Sequence, residues 1–281
     1  MSRLLGYMCS DDSLTPYAME EVRQQAWLDE ANQPASLGFG WVQESRTLLR
    51  KHPSQSSEPV DVLGLLADIP ARAIVGHMRE NLDGAVDSLD LQPFRFRKWV
   101  YSQSGQVPRM EEFRDELVAR TPDHIRRNIA GKTGAEVVFH RFYHWLKKTG
   151  ALTPSRAQGR RAAQALAATV DELEEQAHSA GFEGPLSLDI VAATERLVVA
   201  ARLGDPIHYR VFDGMEQPGE EPLFAGHRPK QIKHPHFKGV FLGSKLRPEA
   251  DGWRELSERS VMWVDGSWEA KTATLEELLE R

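Results

Sequence analysis

Cysteine and long apolar runs are the scarcest features of this sequence, and each shortage excludes a class of protein. Cys9 is the only cysteine among 281 residues, so no disulfide can form within the chain and a reducing compartment is favoured. No stretch approaches the ~18 apolar residues that a membrane-spanning helix needs. The N-terminus also lacks an apolar segment followed by a small-residue cleavage site. We therefore expect a cytoplasmic protein with no membrane partner.

Basic residues are in the minority. The chain has 35 Lys and Arg against 41 Asp and Glu, which gives a formal net charge of −6. General nucleic-acid binders are usually basic, so the sequence argues against that function. The apolar content of 41% and the charged content of 27% are ordinary for a globular protein long enough to bury a sizeable core.

The order of the predicted elements indicates a mixed fold. Strands and helices come first, and short strands separated by turn residues follow after Gly184. No internal repeat and no interdomain linker is visible, so we expect a single domain over residues 1–281, with two sheets between helical layers. Strands are predicted at 4–8, 38–42, 71–77, 98–102, 186–193, 196–201, 207–212, 239–242 and 261–264. Helices are predicted at 15–27, 60–69, 108–118, 133–149 and 155–180, and residues 51–59 are predicted to form a loop.

Two Thr-x-x-Glu patterns predict helix starts. Thr133 with Glu136, and Thr274 with Glu277, each have the spacing of a capping box. In that motif the Thr and Glu side chains accept hydrogen bonds from each other's backbone N–H groups. We therefore expect one long helix to begin near Thr133 and a last short helix near Thr274.

Several short motifs occur in a common order with plausible spacing. The segment Ser2-Arg3-Leu4-Leu5-Gly6-Tyr7 resembles the start of a class II glutamine amidotransferase, a family with a nucleophilic Cys at the position of Ser2. The other motifs are Gly38-Phe39-Gly40 (family D-G-[WF]-G, with Leu37 for Asp), Gly76-His77-Met78-Arg79 (H-x-R), Gln92-Pro93-Phe94 (H-P-F), Trp99 to Gly105 (W-x-F-x-H-N-G), Gly131 to Glu136 (G-x-T-D-S-E), and Gly243-Ser244-Lys245-Leu246 followed by Gly252-Trp253. The chain is similar to the small stand-alone bacterial members, a group that includes the γ-glutamyl amide hydrolases of ergothioneine synthesis.

The resemblance implies a fold and a set of catalytic positions. The fold would be the α+β, four-layer αββα sandwich of the N-terminal nucleophile hydrolases. Ser2 would be the nucleophile, with its own α-amine as the base once Met1 is removed. Ser104 stands where the family has an Asn that stabilises the oxyanion, and Gly105 would supply a backbone N–H to the same oxyanion.

The resemblance also implies two substrate-binding positions. Arg79 would bind the substrate α-carboxylate, unless it serves only in a structural ion pair. Gly134 stands where the family has an Asp that binds the α-ammonium group. Four of the departures from the family, at Ser2, Gln103, Ser104 and Gly134, therefore fall on catalytic or substrate-binding positions or on residues that support them.

These departures leave three hypotheses. The first is a protein of glutamine-amide hydrolase ancestry with weak or lost glutaminase activity, which binds a small amide or carboxylate ligand or a protein partner. The second is an active N-terminal-Ser amidohydrolase for a different amide or γ-glutamyl-type substrate. The third is a non-catalytic ligand- or protein-binding module. No synthase domain is present, so any ammonia acceptor would need another chain.

We expect neither a cofactor nor a metal. His140 and His144 are spaced i, i+4 and lie on one helix face. A zinc protease motif would need Glu between them at position 141, where this chain has Arg141. The spacing of these histidines is therefore better explained by packing.

Overall fold

Two antiparallel sheets form the centre of the structure. The computed structural model describes residues 2–23, 36–53, 66, 69–80, 87–152, 158–217, 232–246, 248 and 251–280. Sheet A has the strand order β11-β9-β10-β1-β4-β2-β3, and sheet B has the order β13-β12-β8-β7-β6-β5. The strands of sheet A are β1 (Ser2–Cys9), β2 (Ser36–Gln43), β3 (Arg46–Pro53), β4 (Ala73–Arg79), β9 (Ile207–Gln217), β10 (Ile232–Ser244) and β11 (Trp253–Glu255). Those of sheet B are β5 (Phe94–Phe96), β6 (Trp99–Gly105), β7 (Leu188–Thr194), β8 (Leu197–Arg202), β12 (Ser260–Val264) and β13 (Lys271–Thr274).

Helices cover the outer face of each sheet. Helix α1 packs on sheet A. The helices that lie between β6 and β7 in sequence pack on sheet B. A third apolar cluster fills the space between the sheets. The predicted αββα sandwich is therefore confirmed, and none of the helices in the described ranges is long and apolar enough to cross a membrane. The helices are α1 (Thr15–Val22), α2 (Met110–Arg120), α3 (Asp123–Arg126), α4 (Gly134–Lys148), α5 (Gly159–Ser179) and α6 (Leu275–Leu279).

Strand β1 is the central strand of sheet A and is apolar on both faces. It pairs with β10 on one side and with β4 on the other. Leu4 and Met8 point into the cluster between the sheets, whereas Leu5 and Tyr7 point to the helical layer. A strand that is buried on both faces has a continuous apolar sequence, which is what residues 4–8 show. Ser2 is therefore attached to one of the best-anchored strands of the fold.

Helix α4 is held on β6 by aromatic contacts. Phe139 stacks on Tyr101 with ring centroids 5.0 Å apart, and Phe142 meets Trp99 edge-on at 5.4 Å. These side chains recur along one face of α4, as expected for an amphipathic helix. The packing fixes the first turn of α4, which contains Gly134, relative to the end of β6.

Some element predictions were wrong. Residues 51–53 belong to strand β3 rather than to a loop, because β2 and β3 form a hairpin through Glu44 and Ser45. Both turn residues have positive φ, 48° and 63°, as a two-residue type I′ hairpin requires. The edge strand β3, the short strands β5, β11 and β13, and the one-turn helix α3 were not predicted. Residues 24–27 of the first predicted helix, and most of the predicted helix at 60–69, lie outside the described residues.

The two capping predictions had different outcomes. At α6 the reciprocal Thr274–Glu277 box is present and the prediction is confirmed. At α4 the Thr133 Oγ1 accepts the Glu136 N–H at 3.3 Å, but the Glu136 carboxylate does not return to Thr133. It instead accepts the N–H groups of Ala130 and Gly131, at 2.9 and 2.6 Å. Glu136 therefore orders the loop before the helix instead of completing a capping box.

Candidate active site

The ends of strands from both sheets bring the predicted catalytic residues together. In sheet A, Ser2 lies opposite Arg79 in the β1–β4 ladder. In sheet B, β6 ends with Ser104 and Gly105. The Oγ atoms of Ser2 and Ser104 are 2.7 Å apart, within hydrogen-bond distance. Two residues that are 102 positions apart in sequence therefore meet where the resemblance placed the nucleophile and its oxyanion donor.

A cavity of about 920 Å³ opens at this point. It is lined by all five predicted site residues, namely Ser2, Arg79, Ser104, Gly105 and Gly134. A smaller cavity of about 260 Å³ adjoins it and shares Arg79 in its lining. Both volumes suit a small molecule rather than a macromolecule.

The hydroxyl pair determines what chemistry Ser2 can carry out. Either hydroxyl can donate to the other, but Ser104 is not basic enough to remove a proton from Ser2. A general base for Ser2 would have to be its own α-amine, which is free only after Met1 is removed. A Ser104 hydroxyl that donates to Ser2 cannot at the same time donate that proton to an oxyanion.

Gly105 occupies a position that only glycine can fill. Its φ is +87°, and an added Cβ would lie 2.0 Å from the carbonyl oxygen of Ser187. A side chain would therefore clash with the backbone as well as strain the conformation. Gly105 therefore fixes the backbone conformation at the end of β6, where the resemblance implies that its N–H group contacts the oxyanion.

His77 lies in the cavity wall in its neutral form. Burial, followed by the positive charge of Arg79, lowers the pKa of His77 from 6.5 to about 3. Its Nε2 lies 3.4 Å from the Nε2 of Gln92. Gln92 in turn donates to the Gln103 carbonyl at 3.0 Å and accepts the Gln103 N–H at 2.6 Å. The Gln92 side chain thus ties β6 to the loop that precedes β5.

Arg79 has no protein partner among the described residues. It lines both cavities, and no hydrogen bond or ion pair is formed by its guanidinium there. The alternative that Arg79 serves in a structural ion pair is therefore not supported in this part of the chain. Its two parallel N–H donors are available for a carboxylate or similar anion.

Gly134 leaves no room for a charged side chain. An added Cβ would lie 2.7 Å from Cγ of Met110, the first residue of α2. Met110 is itself almost fully buried and belongs to the core under α4. The Met110 side chain therefore forms this part of the cavity wall, where the resemblance would have placed a carboxylate. The carboxylate of Glu111 lines the cavity from the next position and is exposed.

Two further groups shape the cavity and were missed by sequence reasoning. Lys245 Nζ lies 3.3 Å from the carboxylate of Asp205. Asp189 accepts the N–H groups of Leu203, Gly204 and Asp205 at 2.8 to 3.0 Å, and its burial raises its pKa to about 6. Asp189 lies in the middle of a predicted strand, where no sequence signal distinguishes it from a surface residue.

The two histidines on α4 lie against neighbouring backbone and aromatic groups. His140 Nδ1 lies 2.8 Å from the Glu136 carbonyl oxygen, and its ring packs against Phe96. Burial, followed by the charge of Arg141, lowers the pKa of His144 to about 4. Within the described ranges no group of three or more His, Cys, Asp or Glu could hold a metal ion. These two histidines therefore act as packing residues.

The fold and the family follow from comparison with known proteins. The same overall fold occurs in solved structures that include a glutamine phosphoribosylpyrophosphate amidotransferase. The family profile of the class II glutamine amidotransferases matches residues 1–182. This chain therefore belongs to the class II glutamine amidotransferase family. No curated protein sequence matches the chain significantly.

Three solved structures illustrate the likeness of fold. A glutamine aminotransferase class-II domain protein from Silicibacter pomeroyi has a TM-score of 0.59 at 16% identity, with 97% of this chain and 99% of that chain covered. A predicted glutamine amidotransferase from Pseudomonas aeruginosa PA01 has a TM-score of 0.53 at 12% identity, with coverages of 95% and 98%. Glutamine phosphoribosylpyrophosphate amidotransferase from B. subtilis has a TM-score of 0.53 at 11% identity, and this chain spans 49% of its length.

Proposed function

We propose that this protein binds a small carboxylate or amide in its cavity and has weak or lost glutaminase activity. The observation that carries the proposal is the contact of Ser2 Oγ with Ser104 Oγ at 2.7 Å. A thiol with a pKa near 8.5 is a few per cent ionised at neutral pH, whereas a serine hydroxyl is not. The loss of one oxyanion donor costs about 10²–10³ in rate. The weaker nucleophile and the lost oxyanion donor therefore concern the same two contacting side chains, Ser2 and Ser104.

The wall at Gly134 supports weak binding of glutamine. A glutamine held by its carboxylate on Arg79 would direct its ammonium group towards a thioether, because Met110 fills the space beside Gly134. A charged group that loses its partner in this way costs about 1–3 kcal/mol. The guanidinium of Arg79, which has no partner among the described residues, and the cavity it lines nevertheless support binding of a carboxylate ligand.

A second candidate function is favoured by the same Met110 contact. An apolar wall suits an amide whose acid carries no amino group, so Ser2 would serve as the nucleophile of an altered amidohydrolase. In that reaction Ser2 Oγ attacks the amide carbon, and the α-amine takes the hydroxyl proton and passes it to the departing ammonia. Water then hydrolyses the resulting ester and releases the acid and the Ser2 hydroxyl.

Glutamate release from glutamine tests the first proposal. The experiment uses tag-free protein, with intact mass to establish whether Met1 has been removed, beside Ser2→Ala and Ser2→Cys variants. We expect release by the wild type to be no faster than release by Ser2→Ala. Rapid release by the wild type that is abolished in Ser2→Ala would refute the proposal. Retention of Met1 would exclude the second candidate, because the α-amine would then not belong to Ser2.

Ammonia release from glutaramate separates the two candidates. Glutaramate has the carboxylate and the side-chain amide of glutamine but no amino group, so it suits both Arg79 and the Met110 wall. An altered amidohydrolase would hydrolyse glutaramate faster than glutamine, and Ser2→Ala would lose this activity. A protein that only binds ligands would hydrolyse neither amide, but glutaramate would raise its melting temperature in a way that Arg79→Gln abolishes.

A further inference from the structure

Strand β3 leaves one of its two edges unpaired among the described residues. It is the last strand of sheet A, with β2 as its only neighbour. The carbonyl of Thr47 accepts the Arg95 guanidinium at 2.6 Å, so the backbone of Thr47 faces away from β2. Because backbone direction alternates along an antiparallel strand, Leu49 and Lys51 also direct their N–H and C=O groups outward. The register with β2 is unbroken over the eight residues of β3.

Six cations line this edge. Arg46, Arg50, Arg95, Arg97 and Lys98 are exposed, and Lys51 is half-buried. None of the six forms an ion pair with a carboxylate of the described residues. The Thr47 hydroxyl donates to the Arg97 carbonyl at 3.0 Å, which joins β3 to the β5–β6 turn. The cations of the two sheets therefore form one surface, which we call the basic edge.

The basic edge stands out against the rest of the molecule. The chain carries a formal net charge of −6, and without these six cations the excess of acidic residues would be twice as large. A long polyanion such as a nucleic acid would pass beyond the edge and meet this acidic remainder. A short acidic segment beside β3 would lie closest to the cations, since charges are screened over about 8 Å at physiological salt.

The cations lie on both sides of the unpaired strand edge. Leu49 packs against the cluster between the sheets, so Lys51 shares that inner side, where it lies over the Phe94 ring at 5.3 Å. Arg46 and Arg50 alternate with these residues and lie on the opposite side of sheet A. A strand added beside β3 would likewise direct successive side chains to the two sides. Acidic side chains at successive positions of such a strand would therefore meet cations on both sides of the sheet.

We propose that the basic edge binds an extended acidic segment of a partner protein by strand addition to β3. The outward backbone groups of Leu49 and Lys51 supply hydrogen bonds that do not depend on sequence, as in other strand-addition complexes. The cations select for Asp and Glu and disfavour basic segments. The proposal is independent of whether Ser2 is catalytic, because no residue of the basic edge lines the large cavity.

Fluorescence anisotropy with a labelled peptide tests the charge requirement. The probe is an eight-residue peptide of two Glu-Glu-Thr-Thr repeats (the Glu-Thr peptide), which directs Glu side chains to both sides of an added strand; it is compared with its Lys-Lys-Thr-Thr counterpart and with an eight-nucleotide oligothymidine. We expect only the Glu-Thr peptide to bind, and Arg46→Glu/Arg50→Glu to weaken its binding about tenfold or more. The matched control is Arg254→Glu on β11, the opposite edge strand of the same sheet, which should change the affinity less than about twofold.

Amide hydrogen exchange tests the strand addition. At saturating Glu-Thr peptide we expect slower exchange of the Leu49 and Lys51 amides, with no change in β11. Peptide binding without this protection would overturn strand addition. Absence of saturable binding up to about 1 mM peptide, binding of oligothymidine in its place, or equal loss of binding in Arg254→Glu would overturn the acidic-partner proposal. Concentration-dependent dimers that Arg46→Glu/Arg50→Glu dissolves would assign the edge to a second copy instead and would also overturn it.

Discussion

The two hydroxyls of Ser2 and Ser104 restrict each other. At 2.7 Å they are within hydrogen-bond distance of each other, so a substrate carbonyl must compete with Ser104 for Ser2 or with Ser2 for Ser104. A Cys and an Asn at these positions would differ in both respects, because a thiol is a weak hydrogen-bond partner and the Asn amide has two donors. The expected loss of glutaminase activity therefore arises from Ser2 and Ser104 together rather than from either residue alone.

When the family residues are restored at these two positions, their effects on the rate of glutamine hydrolysis should therefore be non-additive. We expect Ser2→Cys alone to hydrolyse glutamine slowly, and Ser2→Cys/Ser104→Asn to be about 10²–10³ faster, because the second change returns an oxyanion donor. The rates are measured as glutamate release, with intact mass to verify removal of Met1 in each variant. Equal rates in the single and double variants would show that Ser104 is not positioned to contact the oxyanion.

His77 should make stability depend on pH. Its pKa is about 3 in the folded protein and about 6.5 when unfolded, so the unfolded chain binds more protons between these values. The stability that neutral His77 contributes is complete above pH 6.5 and is lost as the pH falls towards 3. From this group alone we expect the free energy of unfolding to fall by about 1.4 kcal/mol per pH unit within that window.

The variant His77→Gln isolates this dependence. Its free energy of unfolding should fall less steeply between pH 6.5 and 4 than that of the wild type, as measured by urea denaturation at each pH. His236→Gln serves as the control, since His236 is exposed on β10. Parallel curves for the wild type and His77→Gln would show that His77 takes up a proton in the folded state.

At the level of elements, a buried ion pair joins the two long helices that cover sheet B. Arg141 on α4 donates to both carboxylate oxygens of Glu172 on α5, at 2.9 and 2.6 Å. The Trp145 indole also donates to Glu172, at 3.0 Å. The two charged side chains are only 4% and 11% exposed, so both are largely removed from water. Removal of one partner leaves an uncompensated buried charge.

Glu172→Ala should therefore destabilise the fold by about 3–5 kcal/mol. Arg141→Met/Glu172→Leu should recover most of that loss, because the charges leave together and the volume is kept. As a control, Glu116→Ala breaks the exposed Arg120–Glu116 pair within α2 and should cost no more than about 1 kcal/mol. Chemical denaturation measures all three. A double variant no more stable than Glu172→Ala would mean that packing, not charge, holds the helices.

Elements were predictable where local pattern and tertiary environment agree. Strand β1 and helix α4 are strongly apolar at the spacing of their own structure, so both were predicted close to their observed bounds. Strand β3 was missed in part because its edge position leaves it polar, with Lys51 and His52 in a segment that resembles a loop. The short strand β5 is only three residues long, too short for any period to be detected.

Over the whole molecule, the motifs predicted which residues meet but not what surrounds them. Ser2, Arg79, Ser104, Gly105 and Gly134 all line one cavity, because motif residues at strand and helix ends follow from the fold. Other determinants are residues for which no motif implied a role, and only the tertiary structure brings them close. These are Met110 beside Gly134, Asp189 under the 203–205 turn, and the pair of Lys245 with Asp205.

The expectation of a single domain over residues 1–281 can be tested by truncation. The family match ends at residue 182, yet both sheets depend on strands beyond it. Strand β1 pairs with β10, and β6 pairs with β7. A chain cut after residue 182 would lose these partners, and Leu4 and Met8, which are fully buried between the sheets, would lose most of their covering.

We therefore expect residues 1–182 alone to be unfolded or aggregated, and the whole chain to unfold in one cooperative transition. Circular dichroism and calorimetry measure both, with agreement between the calorimetric and van't Hoff enthalpies as the criterion for a single unit. Two separate transitions in the whole chain, or a native-like spectrum with cooperative melting in the truncated chain, would divide the molecule near residue 182. The pairing of β1 argues against that division, because the strand that carries Ser2 lies between β4, which precedes residue 182, and β10, which follows it.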